Sequence, residues 1–326
     1  MMTKKIDNKN IVKVLAFIVT AITLIFLLFQ ISIAELIATI KNINLPYIGI
    51  GFLLYMYSYF FRALRFYFLL NRDVRLKDMF NIVCVSNMVN NILPARIGEL
   101  SYIYILKEKH YIPSSKGIAS MTIARFFDAI SILLFFLISI IILRNIVIVP
   151  MELIFISALM LLISVLFLGL LLFHGKKISA VIEKVIVNIG AVKFQFIQSL
   201  LKLGNNTAEN LEKTQSKNMI FSNFITSIFI WIFMYSATYF VLLGVNVKLS
   251  ILGVIFASIL PMLTTVLPVQ GIGGFGTTEG AWTIGLMLFG ISKETAIASA
   301  FTIHIISYVY FLILGFYGLI IFKIKK

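Results

Sequence analysis

The sequence has few charged residues, a single cysteine and only three histidines. Charged side chains make up 13% of the 326 residues and hydrophobic ones 60%, whereas a soluble globular protein has about 25% charged residues. A chain this apolar cannot cover its surface with polar groups, so lipid must be part of its solvent. The lone Cys84 excludes an intrachain disulfide, and His110, His174 and His304 are too far apart in sequence to share a metal-binding motif. We therefore expect a membrane protein without a metal or other cofactor.

Six apolar runs are long enough to cross about 30 Å of hydrocarbon, which takes about 20 helical residues. They are residues 11–32, 45–69, 117–143, 150–173, 219–243 and 295–322. The first is too long for the apolar core of a signal peptide, so we interpret it as an uncleaved helix. The sequence thus predicts about six transmembrane helices.

Two further apolar stretches, residues 78–106 and 249–290, are interrupted by helix-breaking residues. Pro94 and Gly98 interrupt the first, and Pro261, Pro268 and a glycine-rich run at 271–276 interrupt the second. Each side of a break is too short to span the membrane comfortably. We predict two re-entrant helical hairpins, whose tips are buried in protein or line a wet cavity.

The positive charges indicate the topology. The chain has 28 Lys and Arg against 13 Asp and Glu. With the N-terminus inside, four basic residues lie outside, two lie within membrane segments and the other 22 are cytoplasmic. The outside residues are Lys41, Arg144, Lys248 and Lys293, and the membrane residues are Arg96 and Arg125. This bias is typical of a multi-pass protein of the cell membrane with both termini in the cytoplasm, and it leaves no reason to expect a nucleic-acid partner.

The longest polar stretch, residues 174–217, has apolar residues at helical spacing with lysines between them. Either an amphipathic helix on the membrane surface or a solvated linker helix between two spans fits this pattern. At about 44 residues the stretch is too short for a catalytic domain. We therefore treat residues 1–326 as one membrane domain that is not an enzyme.

The two interrupted stretches share an order of residues. The sequence Ile-Ala-Ser begins 19 residues after Glu99 and 18 residues after Glu279, and a basic residue, Arg125 or His304, follows its serine by five positions. We predict an inverted repeat, with repeat one at about residues 78–143 and repeat two at about 249–322. Inverted repeats whose broken helices meet near the midplane are typical of secondary transporters.

Two motif blocks carry a resemblance to a known family. They are Asn91-x-x-Pro94-x-Arg96-x-Gly98-Glu99, followed by a helix with Arg125 and Asp128, and Pro268 followed by Gly271-x-Gly273-Gly274-x-Gly276-x-x-Glu279. The pattern resembles the flippase-like membrane domain of lysylphosphatidylglycerol synthases over about residues 10–322. The resemblance implies movement of a lipid between leaflets. The soluble aminoacyl-transferase domain of the full synthases has no counterpart here, so lysyl transfer is not implied, and His304 stands where related proteins usually have arginine.

The candidate substrate site comprises residues of the two breaks and of the helices that follow them. It contains Asn91, Pro94, Arg96, Gly98, Glu99, Arg125, Asp128, Pro268, Gly273, Gly274, Gly276, Glu279 and His304. Arg125 is expected to bind a lipid phosphate, helped by Arg96 and by free N–H groups of the half-helices that begin near Pro94 and Gly276. Alternatively, Arg125 pairs with Asp128 or Glu99 and only stabilises the fold.

The remaining polar residues of the site leave several roles open. For Glu99 and Glu279 we expect one of three roles: relaying protons, positioning the site, or capping the opposite half-helix. Asn91 is expected to satisfy backbone groups at the hairpin tip before it contacts substrate.

The sequence therefore favours a flippase for an anionic phospholipid or a polyprenyl-phosphate-linked lipid. Its expected partners are that lipid, the membrane, and either a second copy of the chain or a separate lipid-synthesising enzyme. Two alternatives remain open, an integral-membrane lipid-modifying transferase and a non-catalytic membrane partner of a separate synthase. The mirrored halves favour transport, because an enzyme does not need two gates.

Overall fold

A computed structural model describes residues 37, 40–93, 98–144, 151–214, 216–264 and 274–324. These ranges are helical and contain no β-strand, which confirms the all-α class. The helices in chain order are α1 (Leu45–Leu69), α2 (Leu76–Ile92), α3 (Gly98–His110), α4 (Ser114–Leu143), α5 (Met151–Asn188), α6 (Gln195–Lys213), α7 (Lys217–Gly244), α8 (Ile251–Ala257), α9 (Ile259–Thr264), α10 (Thr277–Met287) and α11 (Lys293–Ile324).

Four helices in the described ranges are long and apolar enough to cross a membrane. They are Ser114–Leu143, Ile154–Asn188, Lys217–Gly244 and Lys293–Phe322. These four helices coincide with four of the six predicted spans and make this a membrane protein. Helix α1 has the bounds predicted for a fifth span, but Arg62, Arg65 and several tyrosines make it less apolar. The predicted span at residues 11–32 lies outside the described ranges.

The first interrupted stretch forms two helices that fold back on each other. Helix α2 ends at Ile92 and α3 begins at Gly98, on either side of the predicted break. A Cβ atom on Gly98 would lie only 2.1 Å from the backbone N and Cα of Asn90. Because any side chain at Gly98 would collide with that backbone, this glycine allows α3 to cross close to α2.

The second interrupted stretch is divided into three short helices. Helices α8 and α9 are separated at Ser258, and α10 begins at Thr277. Pro261 lies in the first turn of α9, where its missing N–H leaves no helical hydrogen bond unmade. Four candidate site residues lie in the two breaks outside the described ranges. They are Pro94, Arg96, Pro268 and Gly273.

The two predicted repeats pack on each other reciprocally. Helix α2 of the first packs on α11 of the second, and α8 of the second packs on α4 of the first. At the α2–α11 contact, a Cβ on Gly315 would lie 2.3 Å from Sδ of Met88. Small residues let membrane helices approach this closely. The first helix of each predicted repeat, α2 or α8, thus packs on the last helix of the other, α11 or α4, as a two-fold relation requires.

The polar stretch at residues 174–217 is a packed pair of helices. Helix α5 is kinked at His174, where φ is −123°, and continues to Asn188. Helix α6 returns along it, with Ala208 and Leu211 buried beside Gly175. Several apolar side chains around the tip of this pair remain half or more exposed. They are Val181, Val185, Ile189, Phe194 and Phe196.

Candidate functional site

A cavity of about 660 Å³ lies between the two predicted repeats. Its walls come from both repeats and from α1, α5 and α7. Six of the candidate residues line it, namely Asn91, Glu99, Arg125, Asp128, Gly274 and His304. The structure thus brings together residues as far apart in the sequence as Asn91 and His304. Arginines and carboxylates lie along one part of the wall, and Ile132, Phe167 and Met262 are among the apolar side chains elsewhere.

Asp128 belongs to a buried hydrogen-bond network between α1, α4 and α7. Arg65 donates to both carboxylate oxygens, from Nη1 to Oδ1 at 2.7 Å and from Nη2 to Oδ2 at 3.1 Å. Arg65 Nη1 also donates to Oγ of Ser227 at 2.7 Å, and Trp231 Nε1 donates to Oδ1 of Asp128 at 3.1 Å. The expected alternative of an Arg125–Asp128 pair is therefore wrong, because Arg65 occupies both oxygens of Asp128.

Arg125 instead forms an ion pair with Glu99, the other partner expected from the sequence. Its Nη2 donates to Oε1 of Glu99. The two side chains remain 36% and 29% exposed, on the cavity wall. Glu99 lies in the first turn of α3, where the positive end of the helix dipole also favours its charge. Arg125 is thus paired but still accessible from the cavity.

Glu279 and His304 form the corresponding pair in the second repeat. His304 Nδ1 and Glu279 Oε1 are 2.6 Å apart, and Glu279 is fully buried. The other oxygen of Glu279 accepts a hydrogen bond from the N–H of Gly276 at 2.7 Å. The expectation that Glu279 caps the opposite half-helix is wrong, because this carboxylate caps its own helix, α10. The N–H of Gly276 is consequently not free to bind a phosphate.

The two ion pairs occupy matching positions. In each, a glutamate from the first turn of a short helix pairs with a basic residue of the long helix that follows. The separations in sequence are 26 residues for Glu99–Arg125 and 25 residues for Glu279–His304. The order read from the sequence thus corresponds to an equivalent contact in both halves.

Glycines and aromatic rings shape the wall around His304. Gly274 and Gly276 have φ values of +77° and +86°, a left-handed conformation that glycine adopts without strain. A Cβ on Gly274 would lie 2.9 Å from Oγ1 of Thr278. The His304 ring packs against Phe275 and Tyr308, with centroids 4.5 and 5.0 Å away. This packing fixes the imidazole beside Glu279.

Asn91 links the end of the first interrupted stretch to the second repeat. Its side chain donates to the carbonyl oxygen of Asn87 at 2.8 Å, one turn back along α2. Its own carbonyl oxygen accepts from the Tyr308 hydroxyl of α11 at 3.3 Å. The end of α2 is therefore close to the aromatic residues around His304.

Sequence reasoning missed two arginines of α1, which it counted as cytoplasmic loop charges. Arg65 is 2% exposed and lies in the core. Arg62 lines the cavity, and its Nε is buried without a hydrogen-bond partner. Removing both from the count leaves 20 cytoplasmic basic residues against 4 outside, so the topology argument is unchanged. Asp128 was the sequence signal for a buried arginine, because an acidic residue at membrane depth requires a cationic partner.

A family model of the lysylphosphatidylglycerol synthase TM region matches residues 13–315. The chain belongs to this family. The match covers every residue that lines the cavity and confirms the resemblance read from the two motif blocks. Membership in the lysylphosphatidylglycerol synthase TM region family indicates a lipid-related function in the membrane. We found no significant match to a curated protein or to a solved structure.

Proposed function

We propose that this member of the lysylphosphatidylglycerol synthase TM region family moves an anionic lipid between the two leaflets. The lipid is an anionic phospholipid or a polyprenyl-phosphate-linked lipid. The observation that carries the proposal is the cavity between the repeats, which has arginines on one part of its wall and apolar side chains elsewhere. A phosphate group fits the first part because it meets cationic side chains there, and a hydrocarbon chain fits the second because it meets apolar ones.

The arrangement of the helices supports alternating access. In this proposal α2–α3 and α8–α10 are re-entrant hairpins, both chain termini are cytoplasmic, and the protein lies in the cell membrane. The reciprocal packing of the repeats and the matching ion pairs support an inverted repeat. Two related halves that enclose one site can open alternately to the two sides of the membrane.

Helix α5 supports entry of the lipid from the side. It lines the cavity with Leu161, Phe167 and Leu168. About 11% of its most apolar segment is buried, the lowest share among the four long apolar helices in the described ranges. Helix α5 packs mainly on α4 and α6, and a helix with so little buried surface at membrane depth can be displaced more easily than the others. In our proposal a lipid reaches the cavity from the bilayer past α5.

A lipid-modifying transferase is less well supported by the chemistry of the cavity. Such an enzyme needs an acid or base that can reach the substrate. Both oxygens of Glu279 are engaged, by His304 and by the N–H of Gly276. The Asp128 oxygens accept three hydrogen bonds from Arg65 and Trp231. Glu99 faces the cavity, but Arg125 engages it. In our proposal these three carboxylates hold the fold and position charges rather than transfer protons to a lipid.

Reconstitution into vesicles tests the proposal. Purified protein should accelerate the crossing of fluorescent phosphatidylglycerol more than that of phosphatidylcholine, and the recovered lipid should be chemically unchanged. Arg125→Ala should abolish crossing in a folded protein, whereas Arg125→Lys should retain part of it, since lysine keeps the charge but loses the planar fork. Equal rates for both lipids, or a modified product, would contradict an anion-selective flippase.

A further inference from the structure

The part of the cavity wall that carries the arginines has more positive than negative charge. A small pocket of about 50 Å³ is lined by Arg62, Arg65, Arg125, Glu99 and Asp128. It shares Arg62, Arg125, Glu99 and Asp128 with the large cavity. Among the described residues that line it, three arginines face two carboxylates. One positive charge is therefore left over in this pocket.

The hydrogen bonds identify which arginine carries that surplus. Arg65 holds Asp128 through both oxygens, and Arg125 holds Glu99. Arg62 makes no ion pair and no hydrogen bond within the part of the chain that the structure describes, although the charges of Asp128, Arg65 and Arg125 act on it. A guanidinium with a buried, unsatisfied Nε is costly in a membrane protein unless an anion or water satisfies it.

Other polar atoms around the same pocket also lack partners. Oγ of Ser86 and Oδ1 of Asn90 are buried without a hydrogen bond, and both residues line the pocket. Unsatisfied buried polar atoms are rare and point to a missing water or ligand. A volume of about 50 Å³ holds roughly three to five waters, or a group of the size of a phosphate.

Arg62 also lies on a polar stripe of α1 that follows the large cavity. Tyr55, Tyr59 and Arg62 are spaced by four and three residues, so they share one helix face, and all three line the cavity. The Tyr55 and Tyr59 hydroxyls are 2.9 Å apart. The stripe leads from the large cavity to the small pocket where the surplus charge lies.

We propose that Arg62 is the residue that first binds the phosphate group, while Arg125 is still engaged by Glu99, with Ser86 and Asn90 accepting hydrogen bonds from hydroxyl or ammonium groups next to that phosphate. This inference rests on the proposed function, because it names the headgroup chemistry of the same site. Arg125 must give up Glu99 before it can bind a phosphate with its full charge, whereas Arg62 has no partner to lose. The ligand class is a phosphodiester or phosphomonoester whose neighbouring groups donate hydrogen bonds.

Ligand-dependent thermal stability of the purified protein in a neutral detergent tests this assignment without requiring transport. Phosphatidylglycerol should raise the melting temperature and phosphatidylcholine should not. Arg62→Gln should weaken phosphatidylglycerol binding about 10- to 100-fold, the effect of losing a charge-assisted hydrogen bond, and Arg62→Lys should lose less. A separate titration with inorganic phosphate distinguishes a free anion site from one that also needs the acyl chains.

A matched control separates the loss of Arg62 from a general loss of positive charge. Arg144→Gln removes the same side chain from an exposed position at the end of α4 and should bind as wild type. The assignment is overturned if Arg62→Gln binds phosphatidylglycerol as Arg144→Gln does.

A stability measurement without ligand checks that Arg62 is not a structural residue. Because it has no partner to leave unpaired, Arg62→Gln should melt at or above the wild-type temperature, while Arg65→Gln should melt well below it. A large loss of stability in Arg62→Gln would overturn the assignment. Binding at Arg62 in a protein that moves no lipid would instead reject the flippase proposal and leave the anion site standing.

Discussion

Replacing Arg65 by methionine should destabilise the helical bundle by about 3 kcal/mol. The change removes both hydrogen bonds to Asp128 and the one to Ser227, and it leaves a buried carboxylate that keeps only the indole N–H of Trp231. Breaking a buried ion pair from one side costs about 3–5 kcal/mol in soluble proteins. Interhelical hydrogen bonds in membranes are worth less, on average about 0.6 kcal/mol. The lower end of the soluble range is therefore the better estimate.

A double-mutant cycle gives the decisive measurement. Arg65→Met with Asp128→Leu removes both charges, so most of the lost stability should return. Unfolding is followed by the fluorescence of the two tryptophans in a mild detergent, with Arg144→Met as the matched control for loss of one exposed arginine. A single variant Arg65→Met within about 1 kcal/mol of wild type, or a double variant no more stable than the single one, would refute the network as a structural element.

Three further predictions address topology and packing. Cysteines introduced as Lys248→Cys and Lys293→Cys, in a background without the native cysteine, should both react with an impermeant reagent added from outside; labelling of only one would reject the second hairpin. His304→Ala should lower the melting temperature because it leaves a buried glutamate without its basic partner, and changing that glutamate to glutamine as well should restore much of the loss. Gly315→Leu should destabilise by about 3 kcal/mol or more by forcing α11 away from α2, whereas Gly280→Ala, whose added Cβ would meet no atom within 4 Å, should unfold as wild type.

The helices of the fold could be read from the sequence because their causes are local. An apolar run of about 20 residues is long enough to cross the membrane wherever it stands. Helix α1 accordingly has the predicted bounds, Leu45–Leu69. Proline and glycine interrupt a helix for reasons of backbone geometry alone, so the boundary between α2 and α3 also falls at the predicted place.

Helix α5 continues past the predicted end of the apolar span because polarity ends a membrane span but not a helix. Residues 174–188 contain lysines, a glutamate and several apolar residues, and no proline. Lysine and glutamate favour a helix almost as well as leucine does. The helix therefore continues past His174 with only a kink.

The partner of Asp128 could not be predicted because it depends on tertiary packing. Arg65 is 63 residues from Asp128 in sequence, and nothing in either segment specifies the other. For Arg125 the sequence offered Asp128, one turn away on the same helix, and Glu99, and did not decide between them. The structure pairs Asp128 and Arg125 each with a side chain from another helix.

The two matching ion pairs differ in burial, and this difference indicates that the two related halves have different roles. Glu99 and Arg125 are 29% and 36% exposed on the cavity wall, whereas Glu279 and His304 are 0% and 9% exposed. The guanidinium of Arg125 presents a planar fork that suits a phosphate, whereas the imidazole of His304 is packed against Phe275 and Tyr308. In the proposed transport, Arg125 of the first repeat can exchange its carboxylate partner for a phosphate that Arg62 of α1 has already bound. The second repeat keeps its carboxylate engaged in the cap of α10. We therefore expect the anion to be bound by α1 and the first repeat throughout, while the second repeat moves against them.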